Sequence, residues 1–178
     1  MESADLIQIP SFCLVILIGA SGSGKSTFAR THFKPTEVIS SDTCRGLVSD
    51  DEINQAATAD AFALVRYIAR IRLKNRLLTV IDATNVKEEA RKDWKRLSTE
   101  FNCPLVAIIL DLPEKTCIDR NALKPDRQFG AHVIPQHISH LTRSLKTLPF
   151  EGYQYIMSLS SEEEVNAVAG IERIPASQ

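Results

Sequence analysis

The chain alternates short apolar runs with longer segments in which apolar residues recur every three or four positions. Phe12–Ile18 (FCLVILI) is an uninterrupted apolar stretch of strand length and reads as a strand buried on both faces. Gly19, Gly22 and Gly24 follow it, and a helix is expected from Lys25 to about His32. Glu37–Ser40 reads as a second strand. Ser49, with Glu52 three residues on, predicts a capping box. Ala57, Ala61, Leu64, Ile68 and Ile71 then set an apolar stripe along one helix face. Leu77–Ile81, Leu105–Leu110 and Tyr153–Leu159 read as further strands. Helices are expected around Ala90, Trp94, Leu97 and Phe101, from Pro113 to about Leu123, and around Ile134, Ile138, Leu141, Leu145 and Leu148. The acidic stretch from Ser161 opens a short last helix.

Strands alternating with helices predict an α/β fold, with a central, mostly parallel sheet flanked by helices on both faces. No repeat or low-complexity linker divides the 178 residues, so one domain over residues 1–178 is expected. Ligands of such sheets bind beyond the carboxyl ends of the strands. That rule selects residues 19–26, 41–45, 82–85 and 111–113 as parts of one site.

Charge adds a constraint. The formal net charge is −1 and the isoelectric point about 6.4, so no global field draws the chain to nucleic acid. A polyanionic substrate would have to be held by local basic patches. The four cysteines (Cys13, Cys44, Cys103, Cys117) lack metal-ligand spacing and read as reduced thiols. No apolar segment approaches the ~20 residues that span a bilayer, and Phe12–Ile18 lacks the basic flank of a signal peptide. A cytoplasmic protein with no membrane partner is the expectation.

The chemistry is concentrated in GASGSGKS, Gly19 to Ser26, which fits G-x-x-x-x-G-K-[ST] between an expected strand and an expected helix. The glycines allow a loop whose amides point inward, and those amides together with the helix N-terminus bind phosphate oxygens. Gly19, Ser21, Gly22, Ser23, Gly24, Lys25, Ser26 and Thr27 are the expected cradle for ATP. Lys25 reaches the β- and γ-phosphates, and Ser26 supplies a hydroxyl to Mg²⁺ or Mn²⁺. A guanine-nucleotide switch usually carries an N-K-x-D loop, which this sequence lacks.

Asp42 ends the second strand region, where it could take the proton of an attacking hydroxyl, hold metal-bound water, or cap a turn. Asp82 stands at the end of the third strand, where a carboxylate often assists the metal. Asn85 reads as a helix cap or a substrate contact. Arg120, Lys124 and Arg127 form a basic cluster on an expected helical lid spanning about 113–135, which could bring cations to the migrating group or form a solvated surface. Arg91 and Lys92 could extend a basic track or lie on a solvated helix face.

GASGSGKSTFA, ISSDTCRGLVSDDE, VIDATN and DRNALKPDRQ occur in the same order as in the N-terminal kinase domain of the bacterial RNA-repair polynucleotide kinase-phosphatase-ligase. The chain resembles that family from about Ile9 to Ile174 and, more distantly, phage polynucleotide kinase. The resemblance implies a P-loop kinase fold and ATP-dependent phosphorylation of 5′-OH ends of RNA or DNA. It matches Lys25 and Ser26 to the phosphate-loop residues and Asp42 to the general base. Arg45, in an acceptor loop over 41–46, matches the acceptor-binding arginine, and Arg120 the first lid arginine. The family often has arginine where this chain has Lys124, leaving Lys124 or Arg127 as the second lid cation. Family proteins also carry phosphatase and ligase domains, so the chain is an isolated kinase domain or a stand-alone enzyme. The alternative is a small-molecule kinase acting on a sugar acid, a nucleoside or an antibiotic. A nucleotide-binding module without transfer activity is the third reading.

Overall fold

The structure is a computed structural model that describes residues 5–124, 130 and 132–175. Arg127 and the rest of the segment 125–129 lie outside the described residues.

Five strands form one wholly parallel sheet: β2 (Leu14–Gly19), β3 (Val38–Ser40), β4 (Thr79–Asp82), β5 (Leu105–Leu110) and β6 (Tyr155–Leu159), in the order β3-β4-β2-β5-β6. Each return between parallel neighbours needs a crossover. These are α1 (Lys25–His32), α2 (Ser41–Ser49) and α3 (Thr58–Lys74), α4 (Glu88–Glu100), and α5 (Glu114–Ala122) and α6 (Val133–Thr147). β2 is buried along its whole length because helices cover both faces. Its side chains alternate between two cores, as a period of two requires. Leu14, Ile16 and Ile18 pack with α3 and α4, while Val15 and Leu17 pack with Phe28 and Ala29 of α1. Strand order reverses on either side of β2, and that switch point opens the crevice for a ligand.

The sequence pattern does not reveal a second, two-stranded parallel sheet. In it β1 (Asp5–Pro10) pairs with β7 (Val168–Ile174), which follows α7 (Glu162–Ala167). Ile7 and Ile9 complete the core on the α1 side. Arg173 ties β7 to Glu37 at 2.8 Å, and the same carboxylate accepts the amide of Lys34.

Two helix assignments change. The capping box does not form: Ser49 is the last residue of α2, and Asp50 closes that helix with φ 56°. The next helical turn begins instead behind Asn54, whose side chain accepts the Ala56 amide. The stripe of α3 is also rotated. Ala61, Val65, Ala69 and Leu73 are the buried positions, whereas Ile71 is 42% exposed.

Candidate active site

Three carboxyl strand ends meet at the switch point. β2 runs through Gly19 into the loop that opens α1, β3 runs through Ser40 into α2, and β4 ends on Asp82. The loop is shaped by glycines with no substitute. Gly22 has φ 82°, and a Cβ on it would lie 2.2 Å from the carbonyl oxygen of Cys117. That contact seats α5 directly on the loop. Gly24 has φ 97° and caps α1 in the left-handed region, with no side chain closing the helix N-terminus. Gly22→Ala is therefore expected to separate α5 from the loop. Loss of ATP-analogue binding and a destabilisation on the order of 1–3 kcal/mol or more in thermal unfolding would show it.

Lys25 is almost wholly buried. Its Nζ donates to the carbonyls of Gly19 (2.9 Å) and Ala20 (2.8 Å) and to Ser23 Oγ (3.4 Å). Burial lowers its pKa to about 8, against the pull of Asp82 and Asp42. An unfolded Lys25 titrates near 10.5, so between about 8 and 10.5 the unfolded chain holds a proton that the folded chain lacks. Stability from this group therefore rises with pH across that window. Phosphates at the loop would restore the ammonium. ATP-analogue binding near pH 9 is expected to take up about one proton, read by calorimetry in buffers of different ionisation enthalpy. Lys25→Met should abolish the uptake.

Asp82 is 5% exposed and lines a cavity together with Ser26. Burial raises its pKa, while the Ser26 hydroxyl and the Lys25 charge pull it back. A hydroxyl beside a buried carboxylate is a hard-oxygen donor set of the kind Mg²⁺ takes with substrate phosphates. No cluster of three or more His, Cys, Asp or Glu able to hold a metal occurs among the described residues. The pair thus fits a metal shared with phosphates rather than an all-protein cage.

Residues 41–46 form the first turns of α2, not a loop. Ser40 caps that helix by accepting the Thr43 amide, so the cap role open to Asp42 falls to its neighbour. Arg45 lines the same cavity and pairs with Asp42 itself. It is 6% exposed, and its Nη1 donates to Asp42 Oδ1 (2.7 Å) and to the Glu52 carbonyl (2.9 Å). Lys25, Ser26, Asp42, Arg45, Asp82 and Lys124 line one cavity of about 360 Å³.

Arg120, at the end of α5, reaches the phosphate loop. Its Nη1 donates to the Ser23 carbonyl (3.2 Å), and Nη2 pairs with Glu162 of α7 (2.9 Å). Ser21, Gly22, Gly24, Ser26 and Thr27 line the same 360 Å³ cavity. Gly19 and Ser23 back the loop as acceptors of the Lys25 ammonium.

Asn85 and Arg91 are buried structural groups. Asn85 donates to the Leu17 carbonyl and accepts from the Trp94 indole. Arg91 is 1% exposed and forks onto both oxygens of Glu151, so it cannot extend a surface track. Lys92 pairs with Glu88 on the exposed face of α4. Sequence reasoning missed His137, which lines the cavity from α6, and Gln55, Thr58 and Phe62 on its far wall. A lone histidine on a helix carries no local signal.

The AAA domain family matches residues 14–148. Transcription factor bHLH140 of Arabidopsis thaliana is 31% identical over 161 residues, covering 87% of this chain and 17% of that protein. A chain from the Pnkp1/Rnl/Hen1 RNA repair complex superposes with a TM-score of 0.65 at 27% identity, over 82% of this chain and 47% of that one. The APS kinase CysC of Mycobacterium tuberculosis, in complex with AMPPNP and APS, shares the fold at a TM-score of 0.55 and 18% identity, over 90% of this chain and 96% of that one. This chain thus spans less than half of the first two relatives. A phosphate loop on the central strand and a family match over most of the sequence agree: the chain belongs to the AAA domain family and has the fold of P-loop kinases.

Proposed function

We propose that the protein is an ATP-dependent polynucleotide 5′-hydroxyl kinase acting on RNA or DNA ends. The observation that supports this reading is that Lys25 of the phosphate loop and Asp42 of α2 line one and the same cavity. A donor phosphate on Lys25 and a hydroxyl on Asp42 would face each other there. Asp42 removes the hydroxyl proton as its oxygen bonds to the γ-phosphorus and the bond to the β-phosphate oxygen breaks, leaving ADP. Lys25 and Arg120 hold the charge that spreads over the phosphoryl oxygens. Ser26 and Asp82 would hold Mg²⁺, which neutralises phosphate charge when bound. Arg45 keeps Asp42 oriented through the 2.7 Å bond, and Lys124 borders the cavity as a second cation.

A wider cavity, about 860 Å³, shares Ser26, Asp82 and Lys124 with the first and continues past Arg30, Ser40 and Thr43. That volume leaves room for more than a nucleoside. The 27% identity to a chain of an RNA repair complex supports the same acceptor class. Phosphatase and ligase activities would then be supplied by further domains or by separate proteins. The whole chain is taken as one domain, cytoplasmic in location, and none of its described helices is long and apolar enough to cross a membrane.

The test compares a 5′-OH nucleoside, the same nucleoside bearing a 3′-phosphate, and a short 5′-OH oligonucleotide, each with ATP and Mg²⁺. The reading predicts a rise in kcat/KM at the first added phosphate and again in the oligonucleotide. Equal values for all three would transfer the assignment to a small-molecule kinase.

The role of Arg120 is checked in the same assay. Arg120→Ala is expected to lower kcat by about 10²–10³-fold. Glu162→Gln, which removes only the tether, is expected to cost no more than about tenfold. Equal, small effects would take Arg120 out of the transfer step.

A further inference from the structure

His137 reaches the phosphate loop from α6, a helix that carries none of the motifs of the site. Its Nδ1 accepts the backbone amide of Ser21 at 3.3 Å, joining positions 116 residues apart. The imidazole lines the 360 Å³ cavity together with Lys25, Asp42 and Thr84. A ring nitrogen that accepts a hydrogen bond carries no proton, so the neutral ring must bear its proton on Nε2. The anchor to Ser21 therefore fixes the tautomer and the ring orientation together, as a carboxylate does for a catalytic histidine. Its surroundings keep the ring neutral. Burial, with the charges of Lys25, His140 and Lys87 nearby, holds its pKa down to about 4. A further cation in a cavity already lined by Lys25, Arg45 and Lys124 would be unfavourable. A neutral donor is the form the cavity accommodates.

We propose that His137 is a further catalytic residue, which uses its Ser21-anchored ring to present Nε2–H to the phosphoryl group in flight between Lys25 and Asp42. The donor strengthens as negative charge moves onto the equatorial oxygens and adds no charge to the ground state. The proposal rests on phosphoryl transfer at this cavity and is independent of which alcohol is the acceptor.

Two measurements test it. Nitrogen-15 NMR of histidine-labelled protein at pH 7 should report His137 as the neutral Nε2–H tautomer. A protonated ring or the Nδ1–H tautomer overturns the proposal, whatever the enzyme turns over. His137→Leu should lower kcat by on the order of 10²-fold, leaving KM for ATP within about threefold. His137→Gln, with a carbonyl for the Ser21 amide and an N–H₂ for the substrate, should recover at least about tenfold of that loss. If His137→Leu instead raises KM for ATP with kcat intact, the histidine only props the loop and the proposal fails. Should the leucine variant not fold, a glutamine variant without activity despite a native melting curve overturns it equally. Transfer only to small alcohols would remove the polynucleotide reading, and the leucine and glutamine variants measured on those alcohols would still decide the role of His137.

Discussion

Lys25→Met is expected to lower phosphoryl transfer by on the order of 10³-fold or more while leaving the fold intact. The ammonium is the one cation within the phosphate loop, and its three donors lie on the carbonyls of Gly19 and Ala20 and on Ser23 Oγ. Those acceptors hold it where the β- and γ-phosphates arrive. Loss of a preorganised, buried cation removes more stabilisation than solvent can restore. The fold does not depend on the charge. A buried ammonium is unfavourable before phosphate binds, which its depressed pKa of about 8 reports. Methionine keeps most of the apolar stem without that penalty. Melting within a few degrees of wild type with turnover gone is the expected pair of results. Substantial turnover in the variant would remove the loop from the reaction.

Asp42→Asn carries the second large effect, a loss of about 10²–10⁴-fold in kcat with ATP-analogue affinity kept. Asparagine is the informative replacement because Arg45 depends on Asp42. The guanidinium is 6% exposed and bonds Asp42 Oδ1 at 2.7 Å, so alanine would leave a buried charge without its partner. Asparagine retains a carbonyl oxygen for Arg45 and loses only the basicity. A parallel collapse of ATP affinity would make Asp42 a metal or structural group. The ion pair also changes what Arg45→Ala should do. Besides any acceptor contact, it frees Asp42, and activity on all acceptors is expected to fall together.

The features legible in the sequence are those written locally. The phosphate loop is a contiguous motif, and the rule that ligands gather at carboxyl strand ends brings Asp42 and Asp82 to it without any tertiary information. Both line the loop cavity, together with Ser26. Strand positions were legible because β2 and β5 are apolar throughout, a pattern only a doubly covered parallel strand tolerates. What the sequence hid depends on distant partners. β1 and β7 pair across nearly the whole chain, and neither has an apolar run long enough to declare a strand. Ser49 and Glu52 have the spacing of a capping box. Asp50 instead takes a left-handed φ and ends α2 there, so the same residues close one helix rather than open another. Arg91 looked like a surface cation until Glu151, sixty positions on, enclosed it. His137 was silent because its meaning lies in the Ser21 amide, on the other side of the fold.

Lys25, Asp42 and Asp82 are proposed to form one site for moving the γ-phosphate of ATP to a 5′-hydroxyl. The most direct test is a single-turnover reaction of the wild-type chain with γ-labelled ATP, Mg²⁺ and a 5′-OH oligonucleotide. The label is expected as a 5′-phosphomonoester on the oligonucleotide, in step with ADP formation, and a phosphatase acting on terminal phosphates should remove it. Label recovered only as free phosphate, or an oligonucleotide left unmodified while ATP is consumed, would contradict this assignment.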